Sequence, residues 1–354
     1  MLSADSAVKI GYRDEQFGRE PYNCFTVLRA KFDRWFAEKA EEVGVLLVTE
    51  TLVESLLIED DKVVGVRTGR PEGEVYADVV VAADGVNSFL AQEAGLRSEL
   101  TPGEVAVAVK EIIALPKETI QERFKLQDDQ GIAIELVGEA TGGMVGTGFI
   151  YTNRDSLSVG VGVMLTDLVK TGVCPADLIE RLKEHPVIRP LLAGGETREY
   201  LAHMIPEGGY NVMPKLYRTG MLVIGDAAML VNSLHREGSN LAMASGKLAA
   251  ETIIDAREKQ DYSEATLAHY RELLESSFVI KDLKKYRNLP KFMEAHHEFF
   301  TLYPKLANEV FRELITVGGL PKKEKQDIAW KKIKSKRSLW NLAKDIYGAW
   351  RALK

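Results

Sequence analysis

Cysteine is nearly absent, with Cys24 and Cys174 alone in 354 residues. Two thiols exclude a disulfide-stapled scaffold. They also exclude an iron–sulfur cluster held by this chain by itself, because such clusters usually take four thiolates. No apolar run approaches the length of a membrane span, and the N-terminal stretch MLSADSAVKIGYRDEQFG has neither a basic start nor an apolar centre of the kind that directs secretion. Repeats and low-complexity tracts are missing. His296-His297-Glu298 lies in an aromatic helical stretch without a further spaced ligand, which reads as structural rather than metal-binding. No glycine-rich turn of G-x-G-x-x-G spacing occurs anywhere in the chain.

What is present describes an ordinary folded protein, 45% hydrophobic and 28% charged, long enough for two or three packed units. The net charge of −6 hides an asymmetry: residues 321–354 hold eleven Lys/Arg against Glu324, Asp327 and Asp345, a balance of +8 that leaves −14 elsewhere. A basic tail on an acidic body suits an anionic surface or partner at that end.

The most informative stretch is Met221 to Ala256. The apolar run 221–224 predicts a buried strand, Gly225-Asp226 ends it, and a helical period begins after Gly238-Ser239-Asn240. A strand, long loop and helix in this order place a ligand at the carboxyl end of the strand and against a helix N-terminus. Gly225 lets backbone approach closely, Asp226 offers a carboxylate to a polyol hydroxyl, and amides near Ser239 and Asn240 face negative charge. Between them His235-Arg236-Glu237 are costly unless solvated, paired or used.

Taken in order, residues 1–23 are weakly patterned. CFTVLRAKFDRWFAEKAEEVG predicts an extended segment and then a helix with Phe32, Trp35, Phe36 and Ala40 on one core-facing side, closed by Gly44. Strands are expected at 45–48, 52–58, 62–67 and 75–76, and residues 78–82 form a run apolar on both faces, as for a parallel strand inside a sheet. That run leads into Ala83-Asp84-Gly85-Val86-Asn87-Ser88. From 101 to 205 the pattern is sheet-like, with strands at 105–114, 132–137, 144–151 and 157–164. SLSVGVGVM alternates as for one packed and one open face. Gly142, Gly143, Gly146 and Gly148 allow either close backbone approach or a bulged hairpin, and the bulge is the expectation. Helices are expected at 263–283, 288–300 and 303–315. Leu339, Leu342, Ile346, Trp350 and Leu353 recur at helical spacing among lysines, the pattern of an interfacial helix.

GDAAMLVNSLHREGSNLAMASGKLAAE resembles the ribityl-binding segment of the FixC family, flavoproteins related to electron-transfer-flavoprotein:quinone oxidoreductases and, more distantly, to geranylgeranyl reductases. Met229 departs from the pattern, standing where the family usually has glycine. VLRAKFDRWFAEKA resembles the family's R-x-x-F-D segment, and ADGVNS its DG motif. The resemblance implies an α/β chain with a glutathione-reductase-type FAD-binding, Rossmann-like fold, an inserted β-sheet substrate domain and a helical C-terminal region. The FAD-binding domain would be discontinuous (1–100 and 206–260), the inserted sheet 101–205 and the helical region 261–354. It further implies FAD contacts at Arg29, Val53, Asp84, Gly85, Gly225, Asp226, Gly238, Ser239 and Asn240, with no catalytic residue or metal ligand assigned.

The implied role is passage of electrons from electron-transfer-flavoprotein subunits to quinone in a FixABCX-like complex. A ferredoxin-like iron–sulfur subunit would supply the cluster that two cysteines cannot hold. The expected place is cytoplasmic or peripheral on the inner face of the cell membrane, with no nucleic-acid partner. A flavin-dependent polyprenyl reductase and a flavin-free fragment are the alternatives. The family's opening βαβ unit with G-x-G-x-x-G has no counterpart here, so the expectation is a chain lacking that unit and binding FAD poorly or not at all without it.

Overall fold

The computed structural model describes residues 1–354, which divide into two compact units. One comprises residues 1–46, 106–203 and 293–348, the other 47–105, 204–292 and 349–354. Residues 1–46, assigned above to the dinucleotide domain, thus cluster with the larger sheet, and residues 261–292 cluster with the Gly225-Asp226 segment.

The first unit is built on five strands in the order Glu196–Pro206, Val105–Ala114, Ser156–Met164, Gly146–Thr152 and Ala133–Leu136. Ser156–Met164 lies antiparallel between Val105–Ala114 and Gly146–Thr152, and its residues are buried nearly throughout. The open face expected from its alternation is therefore not there. The small positions are covered: the Phe149 ring lies where a Cβ on Gly160 would stand, and the Asn153 amide donates to the Ser156 and Ser158 hydroxyls. The glycine cluster also differs from expectation. Pairing of Gly146–Thr152 with both neighbours runs without a register shift, so there is no bulge. Instead a Cβ on Gly146 would meet the Gly162 carbonyl at 2.1 Å and one on Gly143 would meet Thr301 at 2.6 Å, which is close approach.

Helices interrupt this sheet region where only strands are expected. Lys117–Phe124 and Pro175–Glu184 cover it, the latter burying Leu178, Ile179 and Leu182 at helical spacing behind a proline in its first turn. Residues 1–7, weakly patterned in sequence, form a small hairpin whose Leu2 is buried and donates its N–H to the Val137 carbonyl.

The helix predicted before Gly44 is Arg29–Glu42, with Gly44 at φ +94°, but it buries no residue. Trp35 and Phe36 are half exposed because no element lies on their face, and residues 45–48, read as a strand, pair with nothing.

The second unit holds a three-stranded sheet, Tyr217–Arg218, Met221–Val223 and Val80–Ala82, and an antiparallel sheet of Val53–Glu59, Lys62–Thr68 and Glu74–Tyr76. Met221–Val223 is central and fully buried, and it runs parallel to Val80–Ala82, as the two apolar runs require. Val80–Ala82 has a neighbour on that side only, leaving Val81 partly exposed.

The long helix Ser239–Lys259 lays Leu241, Ala249 and Ala256 on the core. The single helix expected over 263–283 is three: Glu264–Leu267, His269–Ser276 and Phe278–Lys285. Ser277 leaves helical geometry (φ −79°, ψ 170°), and its hydroxyl caps the third by accepting from Val279 N–H. Likewise 288–300 resolves into Leu289–Ala295 and a tight turn at His297–Phe299.

Candidate functional site

Within the second unit the parallel strands set two turns at their carboxyl ends, one carrying Asp84-Gly85 and the other Gly225-Asp226. Gly225 adopts φ +58°, and its N–H donates to the buried Ser245 hydroxyl at 3.0 Å. A Cβ there would come within 3.2 Å of the Ala242 methyl. The glycine is thus needed for the left-handed turn and for contact with the small-residue face of helix Ser239–Lys259. Ser245, not singled out in the sequence, holds this turn. Its signal is the small stripe Ala242, Ser245, Gly246 and Ala249.

Gly225–Ala228 forms one tight helical turn that ends at Met229, itself left-handed at φ +60° and 2% exposed. This explains the glycine usual at that position. The methionine keeps the turn at a backbone cost of about 1–2 kcal/mol.

Asp84 faces its own backbone: Oδ1 accepts from the Ser88 hydroxyl at 2.7 Å and Oδ2 from Leu90 N–H at 3.3 Å, heading the short helix Phe89–Glu93. Gly85, at φ +76°, has open space where a Cβ would be. Gly238 precedes helix Ser239–Lys259 without any side-chain cap, so the exposed Ser239 and Asn240 open a helix N-terminus whose first amides lack a capping partner.

The loop before it is compact. Asn232 and Glu237 exchange backbone hydrogen bonds, the Glu237 carboxylate accepts from the Asn232 and Asn240 amides, and His235 contacts the Tyr286 hydroxyl at 3.1 Å. Solvation and pairing therefore accommodate His235 and Glu237. Burial pushes the Glu207 carboxyl up, an effect opposed by Arg236 and by a bond with Ser233.

Val53 opens the strand Val53–Glu59 opposite Thr68. Arg29 belongs to the other unit, where it grips Asp33 through Nε–Oδ1 at 2.7 Å and Nη2–Oδ2 at 3.1 Å.

These features suit a ligand that is both anionic and rich in hydroxyls. Uncapped amides and a buried arginine nitrogen without an acceptor, Nη2 of Arg97, offer donors, while Asp226 offers an acceptor. In the first unit, His296, Glu298 and Asp345 bring potential ligand atoms within 4.8 Å of one another. Arg337 already binds both carboxylates, at 2.8 Å to Glu298 and 2.7 Å to Asp345, so a cation there would have to displace it.

Residues 289–354 match the ETF-QO/FixC family C-terminal domain. The chain is 46% identical over 357 residues to the protein FixC of Bradyrhizobium diazoefficiens, covering 99% of this chain and 82% of that protein. It is 47% identical over 350 residues to the FixC of Azotobacter vinelandii, covering 99% and 81%. The chain belongs to the ETF-QO/FixC family. A probable electron transfer flavoprotein-quinone oxidoreductase of Escherichia coli is 38% identical over 98% of this FixC-family chain and 81% of its own length.

Solved structures agree at the level of fold. A geranylgeranyl bacteriochlorophyll reductase-like protein from Thermoplasma acidophilum superposes with TM-score 0.64 at 20% identity, over 87% of this chain and 72% of that one. A myxobacterial FAD-dependent halogenase of chondrochloren gives 0.58 at 21%, over 91% and 70%. The FixC-family chain therefore has the α/β flavoprotein fold with a helical C-terminal region, and it is a flavin-dependent oxidoreductase of that family.

Proposed function

We propose that this chain binds FAD and passes electrons from an electron-transfer flavoprotein to quinone, in company with a ferredoxin-like iron–sulfur subunit. Identity of 46–47% with two FixC proteins over 99% of the chain carries the reading. The turns and helix end described above support it by keeping the donor and acceptor set that such a cofactor needs. In this reading Asp226 receives a ribityl hydroxyl, Gly225 and Gly85 keep the backbone low beneath the ligand, and the amides of Gly238, Ser239 and Asn240 favour negative charge. Val53 and Asp84 complete the set within the second unit, Asp84 by holding its turn in shape, and Arg29 is proposed as a contact from the family resemblance alone. FAD, when bound, supplies two-electron redox chemistry. The chain's own residues position it and bias its charge. The likeness to a geranylgeranyl reductase-like protein, at 20% identity, speaks to fold and does not favour that activity.

The test is transfer from a reduced electron-transfer flavoprotein to a soluble quinone analogue by the FAD-loaded protein. Quinone-dependent turnover is expected, and reduction of a polyprenyl double bond without it would replace this reading by the reductase one. Asp226→Ala is expected to weaken FAD binding by about 1.5–3 kcal/mol, the usual loss of a hydrogen bond to a charged group. Unchanged FAD retention after gel filtration would remove Asp226 from the site.

A further inference from the structure

Arg97 was not singled out in the sequence, and its surroundings are unusual. Its Nη1 donates to the Ala227 carbonyl over a long 3.4 Å, which places the guanidinium beside the turn carrying Gly225-Asp226. Its Nη2 is enclosed and meets no acceptor.

Two carboxylates act on it from nearby, Glu104 and Asp84, yet neither bonds to it. Glu104 accepts from Thr101 N–H at 2.9 Å, and Asp84 has one oxygen on Ser88 and the other on Leu90. Burial acts against the arginine's charge, while those two carboxylates favour it at a distance. A guanidinium normally directs its forked N–H groups at a carboxylate or a phosphate. Here Asp84 has both oxygens on other donors, Glu104 has one, and neither bonds to the guanidinium, so the cation is held ready for an acceptor from outside the chain. Carboxylates around the two turns would repel an anionic ligand, and a cation between them offsets that repulsion locally.

We propose that Arg97 is a phosphate-binding residue that seats the pyrophosphate of the dinucleotide between the Asp84-Gly85 and Gly225-Asp226 turns. This deepens the FAD reading and rests on it. The guanidinium N–H groups take phosphate oxygens, and the bond to the Ala227 carbonyl keeps the group beside its turn.

The test uses the full chain with three probes: FAD, riboflavin, which lacks phosphate, and inorganic pyrophosphate. Binding is read by quenching of flavin fluorescence and by thermal shift. Wild type is expected to bind FAD more tightly than riboflavin and to be stabilised by pyrophosphate, both advantages fading with salt. Arg97→Gln is expected to weaken FAD about tenfold or more, as loss of a charge-assisted fork does, and to leave riboflavin unchanged. Arg97→Lys keeps the charge without the fork and should fall between them, and it answers the question if the glutamine variant does not fold. Equal losses for FAD and riboflavin would make Arg97 a packing residue and overturn the proposal. So would unchanged FAD and pyrophosphate binding in both variants, or wild-type indifference to FAD and pyrophosphate alike. Pyrophosphate protection that needs Arg97, without binding of either flavin, would keep the anion site and remove the flavin reading.

Discussion

At the scale of single residues, backbone conformation explains more than side-chain chemistry does. Met229 occupies a left-handed position, yet its side chain is almost fully buried. Glycine there would relieve about 1–2 kcal/mol of backbone strain. It would forfeit about 1.5–3 kcal/mol of burial and add about 0.5–1 kcal/mol of chain entropy. Met229→Gly is therefore expected to destabilise by about 1–2 kcal/mol, read as a lower urea midpoint at unchanged slope. A stabilised variant would mean that the strain outweighs the packing. Such positions are legible in part: Gly225-Asp226 and Asp84-Gly85 stand out in the sequence because a turn must follow a buried apolar run. Arg97 does not stand out, since nothing in GLRSEL distinguishes a surface arginine from one folded beneath a neighbouring turn.

Among the elements, the C-terminal helix Leu339–Leu353 buries an aspartate and leaves much of its apolar stripe uncovered. Asp345 is buried against Arg337 and Tyr303, while Trp340 is 78% exposed and Ile346 70%. Leu339 and Trp350 are also about half exposed, and an interfacial role for this face is a proposal that vesicles can test. Lysines near an anionic leaflet contribute about 1 kcal/mol each, so co-sedimentation with anionic vesicles is expected to fall steeply with salt. It should disappear when Trp340, Ile346 and Trp350 are all replaced by serine. Binding that ignores both changes would place any membrane contact elsewhere.

The same helix should respond to pH. The Arg337 hydrogen bond holds the Asp345 carboxyl below its ordinary value, and burial, helped by the bond to Asp345, pushes the Tyr303 phenol up to about 12. The aspartate's contribution is present above its unfolded value of about 3.9 and is lost as pH falls through the lower folded one. The tyrosine's is present below about 10 and is lost as pH rises towards its folded value. Arg337 and Glu298 carry the neighbouring charges, with His296 bonded to Glu298 at 3.1 Å. Melting followed by tryptophan fluorescence should show wild type losing its advantage over Tyr303→Phe at alkaline pH. An advantage constant to pH 11.5 or so would show that the phenol does not titrate with folding.

For the molecule as a whole, the strands were the legible part. Residues 105–114 and 62–67 announce themselves by β-branched runs between turns, and the structure keeps them. What the sequence hides is which faces find a partner. The aromatic stripe of Arg29–Glu42 has the spacing of a core helix and stays uncovered, while the polar alternation of Ser156–Met164 is buried because Phe149 and Asn153 close over it. Local pattern specifies an element's period, but burial depends on neighbours far away in sequence.

That same dependence bears on how the protein behaves at high concentration. Val80–Ala82 bonds to Met221–Val223 along one side and has no strand partner on the other, beside partly exposed Val81 and without a lysine or proline. Such an edge is a template for any extended apolar strand, including one from another molecule. Self-association in solution should accordingly begin at this edge, and a short peptide designed to lie along it would act as a solubiliser.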